Sequence, residues 1–141
     1  MMNPKNKEAI FREVKKEPFA RVLNMTLVEL DDGYAAVEMV YDPERMDNIF
    51  NRAHGGALFA LMDEAFEAVN QTSGTLGLAL NVNVTYIASP QPGTKLRAVA
   101  KQISETKKTA SFDIKVKDGN GNLIATCHAL GYRTGKPLPF I

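Results

Sequence analysis

Apolar and polar residues recur along this chain with two different periods, and the change from one to the other marks its elements. In "KNKEAIFREVKKE", residues 5–17, Ile10, Phe11 and Val14 fall on one side and charges elsewhere. That spacing predicts a short amphipathic helix ended by Pro18. "TLVELDDGYAAVEMVY" predicts a hairpin turned by Asp32-Gly33, followed by a loop containing Pro43. An apolar run beginning near Ala53 predicts one long central helix ending at about Asn70, and "NQTSGTLG" after it is turn chemistry.

Beyond that point the period is two. Leu80, Val82, Val84 and Tyr86 are expected on one strand face, with Asn81, Asn83 and Thr85 on the other. Residues 94–104 form another strand. "TASFDIKVK" puts Ala110, Phe112, Ile114 and Val116 on one side, and "DGNGN" turns the chain into a last strand over 123–133. Short connections favour antiparallel pairing, because a parallel pair needs a long crossover. The expected class is α+β: one long helix against an antiparallel sheet. Apolar residues cover most of the helix circumference, so the sheet must curl around it or a second subunit must cover it, and both are expected.

With 141 residues the chain fits a single domain over 1–141, with an N-terminal helix at 1–17 and a C-terminal tail, "TGKPLPFI", at 134–141. The formal net charge of +1 offers no global attraction to nucleic acid or to an anionic membrane. "MMNPKNKEAIFREVKKEP" lacks the apolar core of a secretory signal, and no stretch reaches the length of a membrane span. The single cysteine, Cys127, has no internal disulfide partner, so a cytoplasmic location is expected.

The central segment, "NRAHGGALFALMDEAFEAV", carries the candidate chemistry. With Asp63 set at zero on a helical wheel, Glu67 falls at about +40° and Glu64 at about +100°, while Phe59 and Phe66 fall at about −40° and −60°. The acids are either a solvent-facing stripe or the wall of a cleft where Asp63 works between wet and apolar surfaces. At a helix start the backbone N–H groups lack intrahelical acceptors and carry the positive end of the dipole. The glycines of "HGG" either let a ligand oxygen reach those donors or simply ease tight packing. His54 and Asp63 are nine residues apart, roughly 13.5 Å along a helix and on about opposite sides. One helix therefore cannot bring both ends to one reacting atom. Two antiparallel copies can, so a catalytic segment here requires an obligate homodimer with composite sites.

"NIFNRAHGGALFALMDEAFEAV" resembles the signature of hotdog-fold acyl-CoA thioesterases of the phenylacetate-degradation type. In that signature an asparagine stands six positions before His-Gly-Gly, and an aspartate nine positions after the histidine. Asn48, His54, Gly55, Gly56 and Asp63 occupy those places. The resemblance runs on through "NVNVTYIASPQPG" and covers about residues 18–133. It implies a hotdog fold assembled as a dimer, and often a dimer of dimers. It implies that Asp63 of the partner subunit attacks the thioester or activates water, while the Gly55 N–H holds the carbonyl oxygen. Asn48 would orient water or substrate, and His54 would shape the helix entry. Gly56, Phe59 and Phe66 are expected to line the substrate site. Some relatives carry a serine or threonine where this chain has Ala79; Asn81 and Asn83, taken to share its strand face, are the expected substitutes.

Cys127 and His128 are adjacent on a strand and point apart, so they form no nucleophile–base pair; Cys127 alternates with Ala125 and Ala129 as packing. Two histidines and one cysteine make no zinc constellation. No metal or redox cofactor is expected, and coenzyme A enters only as part of the substrate. Lys95, Arg97, Lys101, Lys107 and Lys108 are candidates for its phosphates, each with a solvated face as the default. Two rival functions remain open: a noncatalytic acyl-CoA binder, and a hotdog hydratase or dehydratase. The acyl group, aryl or fatty, is not fixed by the sequence.

Overall fold

The computed structural model describes residues 1–141. The chain order is α1 (Pro4–Lys16), α2 (Pro18–Val22), β1 (Thr26–Asp31), β2 (Tyr34–Val40), α3 (Pro43–Met46) and α4 (Gly55–Asn70), followed by β3 (Thr75–Tyr86), β4 (Lys95–Glu105), β5 (Thr109–Lys117) and β6 (Leu123–Pro137). One six-stranded antiparallel sheet, ordered β1-β2-β4-β5-β6-β3, wraps α4. This is the expected α+β hotdog architecture.

The hairpin closes as its turn chemistry requires: Asp31 pairs with Tyr34 across Asp32-Gly33, and Gly33 takes φ +63°, which a side chain resists. On β5 the alternation is clean, with Ala110, Phe112, Ile114 and Val116 all buried against the helix side. Leu96, Ala98 and Ala100 of β4 and Ala35, Val37 and Met39 of β2 extend that floor. Small alanines let the sheet approach α4 closely, while Phe66 of the helix meets Phe112 with ring centroids 5.5 Å apart at a tilted 54°. Asn70 ends α4 wedged between two glycines: a β-carbon on Gly77 or Gly131 would lie 2.6 or 2.5 Å from its side chain.

Three boundaries differ from the sequence expectation. Pro18 ends α1 but also opens α2, because proline fits the first position of a helix, where its missing N–H has no acceptor anyway. Pro43 does the same for α3 inside the expected loop, with the Asp42 side chain accepting from the Glu44 N–H at 3.1 Å. The C-terminal segment is not a loose tail: β6 continues to Pro137, Leu138 is buried, and the Phe140 carbonyl accepts from Arg12 Nη2 at 3.1 Å. No helix is long and apolar enough to cross a membrane.

Candidate active site

The loop entering α4 is tied down before the helix starts. Tyr41, 1% exposed, donates its hydroxyl to Asp47, and burial together with that carboxylate pushes its pKa up to about 12. Asp47 bridges to Ala53, the Asn48 N–H donates to the Arg52 carbonyl at 2.8 Å, and the His54 N–H donates to the Met46 carbonyl at 2.6 Å. The Asn48 Oδ1 accepts from the Phe50 and Arg52 N–H groups at 2.8 and 3.2 Å. Asn48 therefore spends its oxygen on holding the loop and keeps only its amide N–H₂ for water or substrate.

His54 caps the helix, its Nδ1 accepting the Gly56 N–H at 2.8 Å. A β-carbon on Gly56 would lie 3.0 Å from that nitrogen, so the second glycine makes room for the cap. The Gly55 N–H makes no hydrogen bond within the chain. Of the two glycine donors, only the first is free at the positive end of α4. Tyr86, on the far end of β3, lies over this glycine. Its hydroxyl donates to the Gly55 carbonyl at 3.1 Å, and a β-carbon on Gly55 would come within 3.1 Å of the ring. The period-two pattern put Tyr86 on one strand face with Val82 and Val84; its glycine partner has no sequence signal.

Sixteen residues make up α4, and those not buried are Gly55, Gly56, Phe59, Asp63 and Glu67. From Gly56 onward their spacing of three or four residues makes one stripe along the helix. The stripe contains Asp63, whose carboxyl is raised above its ordinary range by burial first and by the Glu17 carboxylate second. It does not contain Glu64, which is only 4% exposed, so of the three acids Asp63 and Glu67 face outward and Glu64 does not. Glu64 and Glu67 are both raised, by burial and then by Glu17, which the α1–α2 junction carries over the helix. Phe66 belongs to the core at 2% exposure, so it is not a lining residue; Phe59, 37% exposed, stays open.

A bulge in β3 corrects the reading of Ala79, Asn81 and Asn83. Ala79 pairs with Gly131 and Asn81 with Leu130, leaving Leu80 as an extra residue. Gly131 shares its face with buried Ala129, whereas Leu130 looks outward, so Ala79 faces the helix side and Asn81 the outer side. Asn83 donates to Asn81 on that outer face. Neither asparagine stands in for a hydroxyl at Ala79. Among the basic candidates, Arg97 is held by Glu29 and Glu38, at 2.7 and 3.1 Å, and Lys95 lies 3.8 Å from Glu38. Cys127 is buried beside Ala125 and Ala129 as expected. Burial, then the Asp63 and Asp113 charges, push its thiol up to about 11.

A helix headed by a free glycine N–H, wrapped by one antiparallel sheet and carrying an open carboxylate two turns along, defines the hotdog thioesterase class. Residues 50–125 match the Thioesterase superfamily, and a putative esterase of Archaeoglobus fulgidus is 36% identical over 125 residues, 89% of this chain and 80% of that protein. The chain belongs to that superfamily and is a thioesterase. The acyl-coenzyme A thioesterase PaaI of Escherichia coli is 26% identical over 116 residues, 82% of each protein. Its structure superposes with a TM-score of 0.90 at 23% identity, over 97% of this chain and 99% of that one. A variant of the phenylacetic acid degradation protein PaaI of Thermus thermophilus gives a TM-score of 0.78 at 28% identity, over 83% and 99%.

Proposed function

We propose that the chain hydrolyses acyl-CoA thioesters in a homodimer whose two sites each combine the head of α4 from one subunit with Asp63 of the other. The observation that carries this reading is the unpartnered Gly55 N–H, left free while His54 takes the neighbouring donor. It would donate to the thioester carbonyl oxygen and hold the negative charge that develops there on attack. Asp63 acts as the nucleophile or as the base that takes a proton from the attacking water, and its raised pKa makes it a stronger base than an ordinary carboxylate. Water is added across the acyl carbon–sulfur bond, releasing the free acid and the CoA thiol. The Asn48 amide N–H₂ orients water or substrate from the tied loop, and Ala79 lines the helix side of the pocket without a hydroxyl.

Dimer formation is supported by what a single chain leaves open. β3 is an edge strand, and Leu78, Leu80 and Tyr86 on it are each half exposed or more, a surface that an isolated chain would risk in aggregation. Release of CoA thiol from a panel of aryl- and fatty-acyl-CoAs tests the activity. Asp63→Asn should abolish turnover while leaving the fold intact; near-wild-type turnover would refute the role. Co-expressing Asp63→Asn with Gly55→Pro tests the composite arrangement. Mixed dimers contain one intact site, so roughly a quarter of wild-type activity should return, and none should if each site lies within one chain.

A further inference from the structure

We infer that Glu17, Glu64 and Glu67, beside Asp63 but outside the proposed hydrolytic residues, form a binding site for a hard divalent cation that pins the α1–α2 junction to α4. One carboxylate oxygen of each lies within 4.8 Å of the others. Two oxygens coordinating one Ca²⁺ at about 2.4 Å stand at most about 4.8 Å apart, so the spread is that of a single ion's ligands. Oxygen donors alone select Ca²⁺, Mn²⁺ or Mg²⁺ over zinc.

The second observation is Glu64 itself. It is 4% exposed, and its Oε2 receives no hydrogen bond; the groups within reach are the Glu17 and Glu67 carboxyls. A buried carboxylate oxygen without a donor is costly, and its surroundings supply only more carboxylates. Asp63 adds a fourth acid close by. None of the chain's ion pairs reaches Glu17, Asp63, Glu64 or Glu67. Lys16, the nearest lysine along the chain to Glu17, is paired with Glu13 at 3.3 Å. Glu17 is the N-cap residue of α2, yet its side chain makes no capping hydrogen bond. Glu17 and Glu67 open onto a cleft of about 460 Å³ between α1, the end of α4 and Leu76, through which water ligands can complete the coordination.

The test is calorimetric titration of the chelator-washed full chain at pH 8 with CaCl₂ and with MnCl₂, alongside melting curves. Saturable binding of one ion per chain is expected, with Tm rising as the ion is added. Glu64→Gln and Glu67→Gln should each weaken binding by more than about tenfold. Glu17→Gln, at the half-buried helix junction, repeats the measurement should a change in α4 impair folding. No saturable binding up to about 10 mM by a folded wild-type chain overturns the site, since even weak extracellular calcium modules saturate below that. Binding that survives Glu64→Gln and Glu17→Gln unchanged overturns it as well. Neither readout depends on hydrolysis.

Discussion

Replacing Gly55 by proline isolates the single N–H on which the proposed oxyanion site rests. Gly55 is the first residue of α4, where proline is tolerated because its missing N–H has no intrahelical acceptor. His54, at φ −64° and ψ 135°, already has the extended conformation required of a residue before proline. The helix should therefore persist. The new β-carbon is a separate matter, since it would approach Tyr86 Cζ at 3.1 Å and Oη at 3.2 Å, and the half-exposed ring must shift by a few tenths of an ångström. Gly55→Ala is the control: it brings the same β-carbon and keeps the N–H. The hydrogen bond from Tyr86 to the Gly55 carbonyl is worth about 0.5–1.5 kcal/mol, against up to about 1 kcal/mol gained by replacing glycine within a helix. Stability should change little, with Tm within about 4 °C of wild type for Gly55→Ala.

Turnover should separate the two variants. A small displacement near the reacting carbonyl should cost Gly55→Ala about tenfold in kcat, well below the 10²-fold that a 1 Å misplacement can bring. Loss of one oxyanion donor costs about 10²–10³-fold, or about 2.7–4 kcal/mol of transition-state stabilisation. Gly55→Pro should therefore run about 10²–10³-fold slower than Gly55→Ala, with KM little changed, because the donor works mainly on the charged intermediate. Thiol release under saturating acyl-CoA measures both. Equal kcat values for the proline and alanine variants, with both proteins folded by circular dichroism, would refute the assignment of the Gly55 N–H.

Cys127 supplies a test of where Asp63 points. Its thiol pKa of about 11 against an ordinary 9 means that the folded chain keeps the proton while the unfolded chain loses it. The stabilisation is full below pH 9 and is lost as pH rises towards 11, so alkaline unfolding should steepen there. The native thiol should resist alkylation at pH 8, and Asp63→Asn should lower its pKa by removing a facing charge; an unchanged thiol titration in that variant would place Asp63 elsewhere. Cys127→Ala should leave thioester hydrolysis within about twofold, since the thiol is packing. Gly131→Ala drives a β-carbon to 2.5 Å from Asn70 Oδ1, and a loss of about 1–3 kcal/mol in denaturant unfolding is expected. A wild-type midpoint would show that Asn70 is free to move.

The strong periods of this chain were readable because tertiary structure agrees with them. β5 alternates over its whole length, and α4 is apolar for four turns, so no packing arrangement could reassign either. The helices α2 and α3, of five and four residues, are too short to express a period, and each begins with the residue most often read as a helix breaker. The bulge at Leu80 escapes for another reason. One inserted residue leaves the alternation intact on both sides and only reverses its phase, so Ala79 and Asn81 come to lie on opposite faces without any change in pattern. The meeting of Glu64 with Glu17 was equally hidden, because it joins segments nearly fifty positions apart.

What the sequence did carry was the contradiction in α4 itself, apolar around most of its surface yet interrupted by glycines and a carboxylate. The wrapped sheet resolves part of it by burying every position except Gly55 and one stripe, and that stripe holds Gly56, Phe59, Asp63 and Glu67. Beside it stands an unpaired edge strand with exposed leucines. A second copy laid antiparallel along that edge would cover the leucines and bring its Asp63 towards the free Gly55 N–H. On the proposed reading, the burial that stabilises the dimer is thus the same event that assembles the site. A charged residue at Leu80 should then reduce activity in proportion to the monomer it creates, and turnover should become dependent on protein concentration.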